Sequence, residues 1–174
     1  MRGALLALAL LAAPAQAEGA REGERDLMRM VFDECAGWAR AQVAPFAFAR
    51  LGPVPSGDVP LPGMEAPAFA LAETGYRVQW GFLDGRRGCV VAGPERGLAG
   101  WSGLGLDLRG ALGRIGARAA RMGFAGPDRG DLAPLEAYEW TARDGTVLRL
   151  TAGPAAGGLA PILRASVSYR MPGG

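Results

Sequence analysis

The sequence predicts a mixed α+β fold: two tandem helix–hairpin (αββ) repeats, an antiparallel sheet with the helices packed on one face, and a final C-terminal strand. Three observations predict it. Two stretches carry apolar residues at helical spacing. Two Asp-Gly turns lie between alternating apolar segments. Two fifteen-residue segments match at a constant offset of sixty.

The chain opens with a secretory signal. Met1-Arg2 is a short positive start, Leu5 to Ala13 is unbroken apolar sequence, and Ala15-Gln16-Ala17 is a small-residue cleavage site. Residues 1–17 are therefore expected to be removed, leaving a single exported domain from Glu18 to Gly174. Repeat one covers about 22–101 and repeat two about 102–170. No later apolar run is long enough to span a bilayer. A periplasmic or secreted location follows, and with it a reading of the two cysteines. Cys35 and Cys89 are expected to form a disulfide in an oxidising compartment.

The first helix should place Leu27, Met30, Val31, Cys35 and Trp38 on one side, with Pro45 ending or kinking it. Residues 52–67 hold five prolines and read as a loop, followed by a short strand near Ala68 to Leu71. The repeat then begins to show. Trp80, Asp84-Gly85 and Ala92-Gly93-Pro94 match Trp140, Asp144-Gly145 and Ala152-Gly153-Pro154. A two-residue turn in the first hairpin places Trp80 opposite Cys89 and Val78 opposite Val91. A three-residue loop in the second, Arg143-Asp144-Gly145, places Trp140 opposite Leu148 and Glu139 opposite Arg149. The two registers differ by one residue, which exchanges faces. Between the hairpins, Leu108, Leu112, Ile115, Ala119 and Met122 form the stripe of a second helix. Ser102 or Asp107 is placed to cap its start and Gly123 its end. Leu163, Ala165, Val167 and Tyr169 alternate with polar residues as the last strand. In element order alone the layout resembles the secreted β-lactamase-inhibitor proteins. Their cysteine pattern is absent, so the resemblance implies no residue roles.

Composition excludes several chemistries. Every basic side chain is Arg, and the chain has no histidine. Ser–His and Cys–His nucleophiles, histidine bases and histidine-ligated metals are thus unavailable. A formal net charge of +2 gives no whole-chain field to attract nucleic acid. No P-loop lysine, complete G-x-G-x-x-G, EF-hand spacing or G-x-S-x-G context exists, so no catalytic residue, metal site or cofactor is assigned.

Three sets of residues stand out. Glu34 falls within the first apolar stripe beside Cys35, and Arg87 shares a strand face with Cys89. The two are expected either to form an ion pair near the disulfide or to leave Glu34 at the solvated rim. Arg114, Arg118 and Arg121 share one arc of the second helix, either an anion-binding face or a solvated one. Trp101, in a glycine-rich loop, is a candidate interface anchor, whereas Trp80 and Trp140 are expected in the core. The leading expectation is a non-enzymatic exported protein that binds a protein or other component of the cell envelope. The alternatives are carboxylate-based hydrolysis of an envelope polymer and carriage of a small ligand in an enclosed apolar pocket.

Overall fold

In the computed structural model of the chain, the described residues are 24–54, 60–61, 63–93, 108–132, 135–153 and 162–170. The expected leader (residues 1–17), Trp101 and the two candidate caps Ser102 and Asp107 lie outside them.

Helix α1 runs over 24–41 and changes pitch midway. Its central part, Met30–Cys35, is a π-helix in which Ala36 N–H donates to the Val31 carbonyl five residues back. The wider turn brings Met30, Val31, Phe32 and Cys35 all into the core. It also rotates the final turns of the helix, so Ala36 and Ala39 are buried where the α-helical stripe predicts Trp38. Trp38 is only half-buried and donates its Nε1–H to the Gly88 carbonyl at 3.1 Å. The helix ends at Gln42, whose left-handed backbone (φ 56°) lets its N–H reach the Trp38 carbonyl. Helix α2, Leu108–Arg121, ends as the sequence predicts, with Gly123 at φ 83° just beyond the last turn.

The strands are β1 (Leu51–Pro53), β2 (Ala68–Leu71), β3 (Arg77–Leu83), β4 (Arg86–Ala92), β5 (Phe124–Leu132), β6 (Leu135–Ala142), β7 (Val147–Gly153) and β8 (Ile162–Arg170). They form one antiparallel sheet in the order β1-β2-β3-β4-β8-β7-β6-β5. Both hairpin registers agree with the turn chemistry. Asp84 and Gly85 both have positive φ and join β3 to β4 with Trp80 opposite Cys89. The three-residue loop 143–145, closed by Ala142 N–H on the Thr146 carbonyl, joins β6 to β7 with Trp140 opposite Leu148.

The αββ grouping is corrected. Among the described residues each helix is followed by four strands, not two. The matched segments occupy β3–β4 and β6–β7, which hold different places in their halves. What they share is turn chemistry and a tryptophan on the helix-covered face. β5 was not legible because Phe124–Leu132 contains two glycines, a proline and two aspartates with no alternation. An edge strand tolerates this, and its pairing with β6 slips between Ala125 and Asp128.

Both helices contribute to one core on the same sheet face. Leu27, Met30 and Phe32 of α1 and Ile115 and Ala119 of α2 pack with Val78, Val91, Trp140, Leu148, Leu150 and Val167. Trp140 is fully buried; Trp80 packs at the margin, its ring stacked on Phe69 at 5.3 Å. The disulfide Cys35–Cys89 joins α1 to β4 across this core. Arg40, at the end of α1, reaches the β6–β7 loop, with Nε 3.1 Å from Asp144 Oδ2 and 3.2 Å from Thr146 Oγ1.

The disulfide closes a separation of 54 residues, which corresponds to about 4 kcal/mol in the chain-entropy treatment. Replacing both cysteines by alanine is expected to lower urea-unfolding stability by about that amount. A loss under about 1 kcal/mol would show that the covalent link adds little to the packing. The Asp144 contact gives a pH-dependent contribution of its own. Burial raises the Asp144 carboxyl, but hydrogen bonds from Thr146 and the Arg40 charge outweigh it and hold the group below the ordinary 3.8. A depressed carboxyl stabilises the fold above its unfolded value and loses that contribution as pH falls below 3.8. Asp144→Asn should therefore lower Tm by about 2 °C at neutral pH, with the difference vanishing in strong acid.

Candidate functional site

A sheet has two faces, and the helices occupy one. The other is only partly covered by the described residues. Residues 60–66, described apart from residue 62, cross it over β3 and β4 as a strap. Gln79 projects from β3 into this strap and is almost fully buried. Its Oε1 accepts from Leu61 N–H at 3.0 Å, and its Nε2 donates to the Ala66 carbonyl at 2.9 Å. Beside it, Gly81 and Gly88 face each other across the β3–β4 pair. Neither carries a side chain, and the strap uses that space. A Cβ on Gly81 would lie 2.7 Å from Ala66 Cβ, and one on Gly88 would lie 3.2 Å from Met64 Cε.

Beyond the strap the face stays open as a groove of about 690 Å³. Its floor is made by β4, β8 and β7, where Val90, Ser166 and Arg149 lie side by side, as do Gly88, Ser168 and Val147. Leu61, Met64 and Leu83 form an aliphatic wall. Three arginines, Arg86, Arg149 and Arg164, face one carboxylate, Glu139. Arg149 spends its charge on Glu139, at 2.6 and 2.9 Å. Arg164 has no such partner: its Nε is buried and makes no hydrogen bond among the described residues. Burial alone lowers the affinity of its guanidinium for the proton. No aromatic ring lines the groove among the described residues.

The residues singled out from sequence fall elsewhere. Cys35 and Cys89 are bonded. Of the two alternatives for Glu34, the ion pair with Arg87 is not formed, and Glu34 is part-exposed. Glu34 Oε2 accepts from Phe46 N–H at 2.8 Å and closes the turn after α1. Arg87 is buried, but it donates Nε to the Ala39 carbonyl and Nη2 to the Arg40 carbonyl, both at 3.0 Å. The negative end of α1 thus takes the charge that a carboxylate was expected to take. The arginine arc of α2 is also largely spoken for. Arg114 grips Glu24 through two bonds of 2.6 and 2.7 Å, and Arg118 meets Asp33 at 2.9 Å. These are ties between α2 and α1, and Arg121 alone of the three forms no ion pair among the described residues.

Two further spaces bear on the alternatives. Glu34 and Glu73 line a crevice of about 310 Å³ beside Phe48. The Glu73 carboxyl is held below its ordinary value by its own backbone N–H and by Arg50, the opposite of what a general acid requires. The void between sheet and helices, lined by Leu27, Val31 and Ile115 among others, measures about 10 Å³. That is about the size of one water molecule. Among the described residues no cluster of acidic and cysteine side chains is placed to hold a metal, and no helix is long and apolar enough to cross a membrane.

The groove residues were partly legible. Arg164, Ser166, Ser168 and Arg170 alternate with Ala165, Val167 and Tyr169, so a polar face of the last strand could be read. That β4 and β7 flank this strand was not readable. Comparison with protein families, characterised proteins and solved structures finds no match for this chain.

The strap depends on the glycine notch and on Gln79. Gly81→Ala should force the strap off β3 and cost about 1–3 kcal/mol. Gln79→Ala should leave strap backbone groups unpaired at a similar cost. Limited proteolysis is expected to cut both variants near 60–66 faster than the parent chain, and equal rates would show that the strap is held by other means.

Proposed function

We propose that this chain is an exported, non-enzymatic binding protein whose partner, a component of the cell envelope, rests in the open groove of the sheet. In this reading the leader is removed after Ala17 and the mature chain works in the periplasm or outside the cell. The disulfide and the lack of a membrane-crossing helix among the described residues are consistent with such a location.

One observation carries the reading: the described residues leave a groove on one sheet face, floored by small residues and lined by charged ones. Surfaces that serve only the fold are usually closed by packing or dispersed in solvent. The competing readings find less support. The hydrolase reading needs two facing carboxylates of contrasting pKa, and Glu73 is committed to Arg50. The carrier reading needs an enclosed apolar pocket of a few hundred cubic ångströms, and the void beneath the helices is far smaller.

The test compares the mature chain with Ser166→Trp. Ser166 lies mid-floor between Val90 and Arg149, so an indole there fills the groove while leaving the helix-covered core untouched. Both proteins are tagged and recovered from envelope extract under identical conditions, after circular dichroism has shown equal folding. A component enriched at least fivefold by the parent over the variant supports the reading. Identical recoveries overturn it.

A further inference from the structure

The open groove has an uneven distribution of charge, which gives its ligand a chemistry. This step rests on the reading that the groove is the binding site. Along β8 the open face presents Arg164, Ser166, Ser168 and Arg170 in alternation. Six residue steps at about 3.3 Å each put the two arginines about 20 Å apart. At the far end Arg170 stands directly opposite Arg86 of β4. Like charges facing each other across strands repel. Neither forms an ion pair among the described residues.

At the near end Arg164 sits between Ala92 and Thr151, with a buried Nε that has no acceptor among the described residues. A half-buried guanidinium with no counter-charge is costly unless something supplies one. Other arginines of the fold have their acceptors. Arg87 is satisfied by helix carbonyls, Arg149 by Glu139, and Arg114 by Glu24. Among the described residues, the cations of this face without an acid are those at its two ends. Between them lie hydroxyls, and along one side stands the aliphatic wall of Leu61, Met64 and Leu83.

We infer that the groove binds an extended acidic polypeptide segment, with one carboxylate on Arg164, a second on the Arg86–Arg170 pair, and aliphatic side chains against the strap. An extended peptide of six or seven residues spans the 20 Å between the poles. It also alternates its side chains, so one set meets the arginines and the other the wall or solvent. The central strands are hydrogen-bonded on both sides, so the peptide is held by side chains and not by strand addition. A nucleic acid finds no aromatic platform among the described groove residues.

The probe is an acetylated, amidated eight-residue peptide of alternating glutamate and valine, titrated calorimetrically into the mature chain at low salt. Its lysine–valine counterpart, polygalacturonate and inorganic phosphate are titrated alongside. The acidic peptide is expected to bind, and to bind less tightly as salt rises. Arg164→Gln and the double variant R86Q/R170Q should each weaken it tenfold or more. Arg121→Gln, on the helix face, should leave it unchanged. Arg164→Gln also carries a second readout. If the arginine is kept for a ligand, removing its uncompensated charge leaves the Tm of the free protein unchanged or higher; if it completes the fold, Tm falls.

Equal binding of acidic and basic peptides, no binding of either, or indifference to Arg164→Gln overturns the inference. So does tighter binding of polygalacturonate, which would make the ligand an acidic sugar polymer, or binding of phosphate without the peptide. Should Ser166→Trp abolish envelope recovery while the arginine variants do not, the groove stands and the acidic peptide falls. Should the peptide bind Ser166→Trp as tightly as the parent, its site is not the groove and the inference falls. The groove reading then rests on its own envelope-recovery test.

Discussion

The attachment of the end of α1 to β4 is the constraint on which the rest of the structure depends. The Cys35–Cys89 bond fixes the helix over the strand, and Trp38 adds a hydrogen bond to the Gly88 carbonyl. Arg87 rises from the same strand and fills the last carbonyls of the helix. A buried guanidinium would ordinarily demand a carboxylate. Here the partial negative charge of a helix terminus and the face of Tyr169, 5.3 Å away, serve instead. That substitution releases Glu34 to close the turn at Phe46. The fixed end of α1 then positions Arg40 against the β6–β7 loop, and the body of α1 receives α2 through Glu24 and Asp33. One anchored helix thereby organises both halves of the chain.

How much of this was legible depends on the range of the signal. Turn chemistry acts over a few residues, so Asp84-Gly85 and Arg143-Asp144-Gly145 pointed to the registers that are found, although the sequence alone left them open. Helical spacing located both helices, and the cysteine count identified the disulfide. The π turn in α1 was not readable, because the apolar spacing of Leu27, Met30, Val31 and Cys35 fits an ordinary α-helix. The strand order was equally hidden. The offset-of-sixty match is real as sequence, but similar turns recur in places that are not equivalent in the sheet. The fates of Arg87, Arg114 and Arg118 show the same limit. Their charge was evident, and which acceptor each would reach depended on contacts 47 to 90 residues away.

The two sheet faces are covered differently. On the helix side Arg87 and Arg114 both have their acceptors, and the void against the sheet is smaller than a ligand. On the open face the strap consumes the notch made by Gly81 and Gly88 and satisfies Gln79, then stops. On the surface it leaves uncovered, Arg164 Nε makes no hydrogen bond among the described residues; on the helix side the same holds for Trp140 Nε1.

The position of β8 has a consequence for how the chain comes to be whole. It is the last described strand in sequence, yet it lies in the middle of the sheet, between β4 and β7. β4 is complete about seventy residues before β8 begins, a pairing of high sequence separation. As the polypeptide emerges from its N-terminus, β1 to β4 can zip together and Cys35 and Cys89 are already both present. The outer edge of β4, with its open row of backbone donors and acceptors, waits for its neighbour. Elongation therefore ends with an insertion that welds two half-sheets. A chain halted before residue 162 lacks the strand that joins the two half-sheets, and it leaves β4 and β7 each with an unpaired edge.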